Sequence, residues 1–167
     1  MFCGFLAVKN AFIACQATNK NKILTGKADY ILIKKKDRIM QAYRGEALLK
    51  EYKISLGFSP LGPKTVEGDG KTPEGIYEIV WKNPRSAYHL SLKISYPNEE
   101  DLKRARDLGQ SPGGDIFIHG IGTGVERGAL KSYSEMDWTL GCIAVNNDEI
   151  EELFSSVQVG TKVEIIP

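Results

Sequence analysis

The stretch DWTLGCIAVN, Asp137–Asn146, places a single cysteine after a glycine and before an apolar segment. The residues from Ile143 onward are typical of a short buried strand. A cysteine in such a position packs as a small hydrophobic residue, binds a metal ion or acts as a nucleophile. The rest of the sequence has to distinguish these three roles for Cys142.

The overall composition is that of one globular domain. The chain has 167 residues, of which 42% are hydrophobic and 26% charged, and its net charge is +1. This balance provides no large basic surface, so we do not expect nucleic acid as a partner. After the N-terminal stretch, no run of about 18 apolar residues predicts a membrane span.

The N-terminal residues 1–17, MFCGFLAVKNAFIACQA, are apolar and small, with Lys9 as their one charged residue. We interpret them as an export leader. The sequence FIAC is similar to the cleavage site of bacterial lipoproteins, with Cys15 as the lipidated residue, although Phe12 stands where leucine is usual. The alternative is an N-terminal strand or a disordered segment. We expect the folded domain to span residues 28–167 and to lie in the cell envelope, in the periplasm.

A disulfide and a metal site are both unfavourable roles for Cys142. The other cysteines, Cys3 and Cys15, lie in the leader. The sequence has two histidines, His89 and His119, and no CxxC or HExxH pattern. We therefore expect no metal.

The remaining pattern predicts a mainly β domain. The alternating or short apolar segments that predict strands are 28–35, 38–44, 48–58, 76–82, 88–95, 115–119, 142–146 and 162–166. Two helices are expected, one capped by Asn98 and ended by Gly109, the other over 147–157. The glycine- and proline-rich stretch Ser59–Gly75 predicts a long loop that faces a substrate. The fold class is a closed or sandwiched β-sheet with short helices outside it.

A nucleophilic cysteine needs a base and backbone N–H groups directed at the developing oxyanion. His119 ends the strand DIFIH and opens the glycine loop HGIGTG, while Cys142 opens another strand. Two strand ends at a sheet edge can bring these side chains together. Gly141 and Cys142 can present N–H groups to an oxyanion, and Gly141 has no Cβ to restrict the turn. Taken alone, Cys142 fits a packing role, but the joint pattern favours catalysis.

The other candidate base is His89, which lies inside an alternating strand. We prefer His119 because its backbone setting is freer, and we assign His89 to substrate binding. Arg85, Trp138 and Thr139 are assigned to substrate binding as well.

These residues resemble the L,D-transpeptidase catalytic domain of the YkuD type. The family pattern of His-Gly followed by Thr-x-Gly-Cys is matched by His119-Gly120 and by TLGC at 139–142. The resemblance covers residues 29–167 and includes SLGFSPLGPKTVEGDGKTPEG, NPRSAYHLSLKISYPN and SPGGDIFIHG. It implies a β-sandwich or barrel with short peripheral helices. Leu140 departs from the family, which usually has histidine there, and the residues after Cys142 are more apolar than usual.

The resemblance also implies a mechanism on peptidoglycan stem peptides. Cys142 would attack the carbonyl at an L-configured centre, and His119, oriented by the backbone carbonyl of Gly120, would take the thiol proton. The N–H groups of Gly141 and Cys142 would hold the oxyanion. D-Alanine would leave, and an amine from a second stem peptide or from an envelope protein would resolve the thioester. It implies no metal or organic cofactor, acylation by carbapenems, and a role in cell-wall biogenesis and cell shape.

Several alternatives remain beside this interpretation. Water as the acceptor would make the protein a peptidoglycan amidase or L,D-carboxypeptidase, and a non-catalytic envelope-binding module would keep only the fold. Sortases share the His-before-Cys order but need an arginine after the cysteine, and the last arginine here is Arg127. NlpC/P60-type hydrolases place cysteine before histidine, which is the reverse of this order.

Overall fold

The structure is a computed structural model that describes residues 23–122, 133 and 136–167. The proposed leader, residues 1–17, lies outside the described residues. The strands are β1 Ala28–Lys34, β2 Ile39–Arg44, β3 Ala47–Lys53, β4 Gly75–Ser86, β5 His89–Ile94, β6 Phe117–His119, β7 Ile143–Ala144 and β8 Val157–Ile166. The helices are α1 Glu99–Asp107 and α2 Asn147–Ser156.

The eight strands form one sheet in the order β3-β2-β1-β8-β4-β5-β6-β7. Strand β4 is long enough to pair with β8 through its first residues and with β5 through its later ones. The β1–β8 and β6–β7 pairs are parallel, and the other pairs are antiparallel. A single curled sheet therefore carries the whole domain.

The two edges of this sheet meet just after β3. Ser55 and Ala144 exchange two backbone hydrogen bonds, each with an N–O distance of 2.9 Å. Farther along, Thr139 donates its backbone N–H to the Leu56 carbonyl at 3.1 Å and accepts from the Phe58 N–H at 2.9 Å. The curled sheet is closed by these contacts, which confirms the predicted mainly β fold and places residues 139–144 beside the end of β3.

The core lies inside the curl and under α2. Alternation along β1 buries Ile31 and Ile33 completely, and α2 buries Ile150 and Leu153 against the same cluster. Burying four such side chains contributes roughly 1.5–3 kcal/mol each before conformational entropy is subtracted. The apolar positions of the sequence thus fix which face of each element points inward.

Both predicted helices are present, and their first residues explain where they begin. Asn98 accepts a hydrogen bond from the Asp101 N–H, and the Asp101 carboxylate accepts one from the Asn98 N–H, each at 3.0 Å. At the start of α2, the Glu149 carboxylate accepts from the Asn146 N–H at 3.0 Å. In the described part of the chain, neither helix has the length and apolarity that a membrane crossing requires.

Candidate active site

Strand register places His119 and the neighbourhood of Cys142 on one face of the sheet. Ser91 on β5 lies opposite His119 on β6, and His119 lies opposite Ala144 on β7. Residues opposite one another on neighbouring strands project to the same face, and this face alternates every second residue. Cys142, two residues before Ala144, therefore projects toward the same side as the imidazole. The opposite face is covered by α2.

A cavity of about 610 Å³ opens on this face, and both predicted catalytic residues line it. Its lining includes His119, Cys142, Tyr88, Ser91, Trp138 and Thr139. Two segments distant in sequence thus bring a thiol and an imidazole into one cavity, as expected from their positions at two strand ends.

The His119 imidazole is held by the carbonyl of the next residue. Its Nδ1 lies 2.7 Å from the Gly120 oxygen. Because a carbonyl oxygen only accepts hydrogen bonds, Nδ1 carries the proton and Nε2 keeps a free lone pair. Burial lowers the pKa of His119, and the hydrogen bond to Gly120 opposes this only in part. The ring is therefore neutral near pH 7, with Nε2 available as a base.

Close packing explains why a glycine follows His119. A Cβ on Gly120 would lie 2.5 Å from the Asn147 Oδ1 atom and 2.9 Å from the Tyr88 carbonyl oxygen. The same Oδ1 accepts the Ile121 N–H at 2.8 Å. The start of α2 thus anchors the turn after β6 and fixes the carbonyl that orients the imidazole.

Two aromatic rings surround the imidazole. The Tyr88 ring centroid lies 4.6 Å from that of His119 in a tilted arrangement, and Trp138 meets the imidazole edge-on at 5.7 Å. Trp138 is itself fixed by a hydrogen bond from its indole N–H to the Tyr133 carbonyl at 3.1 Å. These contacts leave His119 only 3% exposed and restrict the orientation of its ring.

The Cys142 thiol is protonated in this resting state. Burial raises its pKa, the Phe117 N–H lowers it through a hydrogen bond, Asp115 raises it and Lys64 lowers it, with a net increase. Among the described residues, the group that accepts from Sγ is the Asp115 carbonyl oxygen, at 3.6 Å, and not the imidazole. The sulfur must therefore turn toward His119 before a proton can pass between them.

Thr139 organises the nucleophile loop, by which we mean residues 137–142 before β7. Its hydroxyl accepts the Gly141 N–H at 3.1 Å and donates to the Cys142 carbonyl at 2.7 Å. The Gly141 N–H, predicted to face an oxyanion, therefore has a partner inside the loop in this state. Thr139 is buried and lines the cavity, but its hydroxyl makes its hydrogen bonds within the loop.

Gly141 is required by backbone geometry. Its φ is +132°, and a Cβ would lie 2.7 Å from the Lys71 carbonyl oxygen. The nucleophile loop and the glycine-rich loop 59–75 therefore touch backbone to backbone beside Cys142. This contact explains how the predicted long loop reaches the site.

One carboxylate organises that glycine-rich loop. Asp69 accepts the N–H groups of Thr65, Val66 and Lys71 at 2.8, 3.1 and 3.0 Å, and the buried Lys64 ammonium at 2.8 Å. Burial alone would raise the pKa of Asp69, but the hydrogen bonds from Lys64 and the backbone outweigh it and lower the pKa to about 2. The carboxylate is ionised throughout the physiological range and holds the cavity wall together.

Two residues assigned to substrate binding do not line the cavity. A register shift between Asn83 and Ser86 and a φ of +72° at His89 break the alternation on which that assignment relied. The His89 Nε2 atom instead lies 2.6 Å from a carboxylate oxygen of Glu151 on α2. Arg85 is exposed and lies in the same irregular segment. In this structure His89 and Arg85 therefore lie outside the cavity lining, and their assignment to substrate binding stays a prediction.

Sequence reasoning missed several residues that do line the cavity. Tyr88 directly precedes His89, and its position over the imidazole depends on the same irregular segment. Ser91 is 3% exposed and directly opposite His119. The alternating pattern of β5 indicated that the Ser91 side chain faces one side of the sheet. The pattern of a single strand does not reveal that His119 lies opposite it. The described residues hold no cluster of three or more histidine, cysteine or acidic side chains arranged for a metal.

Comparison with known proteins identifies the family of this domain. The family model of the YkuD L,D-transpeptidase catalytic domain matches residues 28–165. A protein of Escherichia coli strain K12 named "Putative L,D-transpeptidase YafK" is 30% identical over 162 residues, which cover 93% of this chain and 57% of that protein. This chain therefore spans a little over half the length of that curated relative.

Solved structures show the same fold. The helical cell shape determining protein Pgp2 of Campylobacter jejuni is 30% identical, with a TM-score of 0.60 over 87% of this chain and 51% of that one. LdtMt1, an LD transpeptidase solved in complex with imipenem, is 16% identical, with a TM-score of 0.54 over 84% of this chain and 60% of that one, and it shows the fold alone. Because the family model matches most of the length of this chain, the chain belongs to the family of L,D-transpeptidase catalytic domains.

Proposed function

We propose that this protein is a cysteine-dependent L,D-transpeptidase that acts on peptidoglycan stem peptides through a thioester acyl-enzyme. The family acts on peptidoglycan, and the proposal adds the nucleophile, the base and the order of steps. The observation that carries it is the neutral His119, whose Nε2 is left free by the Nδ1–Gly120 hydrogen bond, in the same cavity as Cys142.

The first step is attack by sulfur. When a stem peptide enters the cavity, Sγ turns from the Asp115 carbonyl toward His119, and Nε2 removes the thiol proton as the C–S bond forms. The raised pKa of Cys142 and the lowered pKa of His119 both favour the neutral pair at rest. His119 therefore acts as a general base during the attack, because a thiolate–imidazolium pair is not favoured beforehand.

The tetrahedral intermediate needs donors for its oxyanion. We assign this role to the backbone N–H groups of Cys142 and Gly141, with Gly141 sharing or exchanging its bond to Thr139 as charge develops. Collapse of the intermediate breaks the C–N bond to D-alanine, whose amine takes the proton from Nε2. The acyl group is then held as a thioester, and His119 is neutral again.

An acceptor completes the cycle. An amine from a second stem peptide, or from an envelope protein, attacks the thioester while His119 removes its proton, and the thiol is regenerated. Water in place of the amine would give an L,D-carboxypeptidase or amidase from the same intermediate. We place the protein in the cell envelope, in the periplasm, with Cys15 as a candidate lipid anchor. The likeness to a cell shape determining protein supports a role in cell shape.

Incubation with a free stem tetrapeptide tests this function. We expect release of D-alanine, a transient increase in protein mass by one tripeptidyl group, and loss of both in Cys142→Ala. Digested sacculi then separate the acceptors: new links between two third-position residues indicate transfer, and trimmed stems without them indicate hydrolysis. Binding without any D-alanine release would contradict the proposal and favour a non-catalytic envelope-binding module.

A further inference from the structure

A second row of side chains lies next to the row that contains Ser91 and His119, on the same face of the sheet. Trp81 on β4 is opposite Lys93 on β5, and Lys93 is opposite Phe117 on β6. These pairs lie two residues along the strands from Ser91 and His119, so both rows project to the same side. The face that carries the catalytic cavity therefore continues past Phe117 and Lys93 to Trp81 on β4.

The outer part of this row is an aromatic surface open to water. The Trp81 ring is 50% exposed and meets Phe117 at a centroid distance of 6.5 Å, with the planes inclined by 64°. We call Trp81 and Phe117 the aromatic platform. A half-exposed indole beside a functional cavity is typical of a surface that binds a ligand.

The polar groups beside the platform are balanced in charge. The Lys93 ammonium lies 5.8 Å from the Phe117 ring centroid and 2.6 Å from a carboxylate oxygen of Asp115. Because Asp115 already neutralises Lys93, the platform provides hydrogen-bonding groups without a net charge. Its best ligand is a neutral molecule that has one apolar face and polar groups around its edge.

The platform lies at a definite distance from the nucleophile. Phe117 and Cys142 line the same cavity, and the strand register places them level with each other on neighbouring strands. With neighbouring strands about 4.8 Å apart, Phe117 lies one strand from Cys142 and Trp81 lies three strands from it, so the platform extends from roughly 5 to roughly 14 Å from the nucleophile. Three extended residues span about 10–11 Å. A stem peptide with its third residue at Cys142 therefore reaches the platform at the point where it joins the glycan strand.

We propose that the aromatic platform is a saccharide subsite, on which a pyranose ring of the glycan strand stacks its C–H face against Trp81. Lys93 and Asp115 contact the hydroxyl and acetamido groups at the edge of that ring. This inference rests on the proposed function, because the distance argument takes the third residue of the stem as the acyl donor. It makes the protein prefer stems that are still attached to sugar.

Titration of the non-reacting Cys142→Ala protein tests the subsite. Two probes share one tetrapeptide, and only the first carries the N-acetylated disaccharide. We expect the disaccharide-peptide to bind more tightly, and Trp81→Ala to weaken that binding by about 5- to 10-fold while leaving the free tetrapeptide unchanged. Trp81→Phe, which keeps a flat ring, should restore most of the affinity. The control is Ile76→Ala, an exposed apolar residue of the same strand outside the platform.

The outcomes separate this inference from the function on which it rests. Equal affinity for the two probes, unchanged by Trp81→Ala, would overturn the saccharide subsite alone. An equal loss for both probes in Trp81→Ala would show that the platform binds peptide, and would overturn it too. The proposed function fails instead if neither probe releases D-alanine with the native Cys142 protein. A folded Trp81→Ala protein is recognised by an unchanged far-UV circular dichroism spectrum.

Discussion

The Arg38 guanidinium donates hydrogen bonds to the carboxylate of Asp137. Its Nε lies 3.0 Å from both carboxylate oxygens, and its Nη2 lies 2.7 Å from one of them. The same carboxylate accepts the Leu56 backbone N–H at 3.0 Å. Asp137 lies five residues before Cys142, so this contact ties the nucleophile loop to the β1–β2 turn and to the segment after β3. Two regions far apart in sequence thus hold the loop that carries the sulfur.

Loss of the Arg38–Asp137 ion pair should slow the acylation of Cys142 strongly and destabilise the fold only slightly. We expect Arg38→Ala to reduce the rate of Cys142 acylation roughly 10-fold and to lower the free energy of unfolding by about 1 kcal/mol, since the pair is partly exposed. Stopped-flow acylation and urea unfolding measure the two effects. Lys103→Ala, which breaks an exposed ion pair on α1, is the matched control. Equal acylation rates in the two variants would contradict this role.

Asp69 should stabilise the fold in a pH-dependent way. An asparagine there would turn donors toward the Thr65, Val66 or Lys71 N–H groups and leave the buried Lys64 unpaired, so Asp69→Asn should cost about 2–4 kcal/mol at pH 7. The folded pKa of about 2 lies below the ordinary 3.8. The stabilisation is therefore present above pH 3.8 and is lost as the pH falls toward 2.

Urea unfolding at several pH values checks this prediction. The difference between the native protein and Asp69→Asn should be largest near neutral pH and shrink below about pH 4. Asp107→Asn, at an exposed carboxylate on α1, should show little difference at any pH. A constant difference for Asp69→Asn down to pH 2.5 would refute a role for the ionised carboxylate.

Tyr88 should act through the imidazole on which it packs. Tyr88→Ala removes one wall of the His119 site, and we expect a roughly 10-fold slower acylation of Cys142. Tyr88→Phe keeps the ring and should stay within about twofold of the native rate. Stopped-flow measurement of acylation by a stem tetrapeptide compares them. A Phe variant as slow as the Ala variant would assign the effect to the hydroxyl and not to ring stacking.

The pH profile should reveal a neutral resting pair. Because burial lowers the pKa of His119, the acid limb of the acylation rate should lie below the ordinary imidazole pKa of 6.5. Because burial raises the pKa of Cys142, alkylation of the free protein by iodoacetamide should keep rising with pH above 9. Rapid alkylation that is already constant at pH 6 would show a preformed thiolate and contradict the proposed general-base step.

The sequence was sufficient to predict the fold class and the meeting of His119 and Cys142 in one cavity. Alternation and glycine punctuation located the strands, and the order of His119 and Cys142 at two strand ends indicated a shared site. The capping signals at Asn98 located α1 within one turn. These features are local, so neighbouring residues suffice to read them.

What the sequence could not predict depends on contacts between distant segments. The assignment of His89 required regular alternation, and the bulge before it moved Tyr88 over the imidazole instead. The Asp115 carbonyl beside Cys142 belongs to a residue with a φ of +56°, and the sequence pattern around Asp115 does not predict this conformation. The Arg38–Asp137 pair joins residues 99 positions apart, so only the closed sheet reveals it.

The rate of imipenem acylation, followed by intact protein mass, tests the Cys142–His119 pair most directly. The native protein should gain one imipenem adduct and Cys142→Ala none. His119→Ala should react roughly 100-fold more slowly or worse, while His89→Ala, outside the cavity, should stay close to native. An adduct on Cys142→Ala, or a greater loss in His89→Ala than in His119→Ala, would contradict this account.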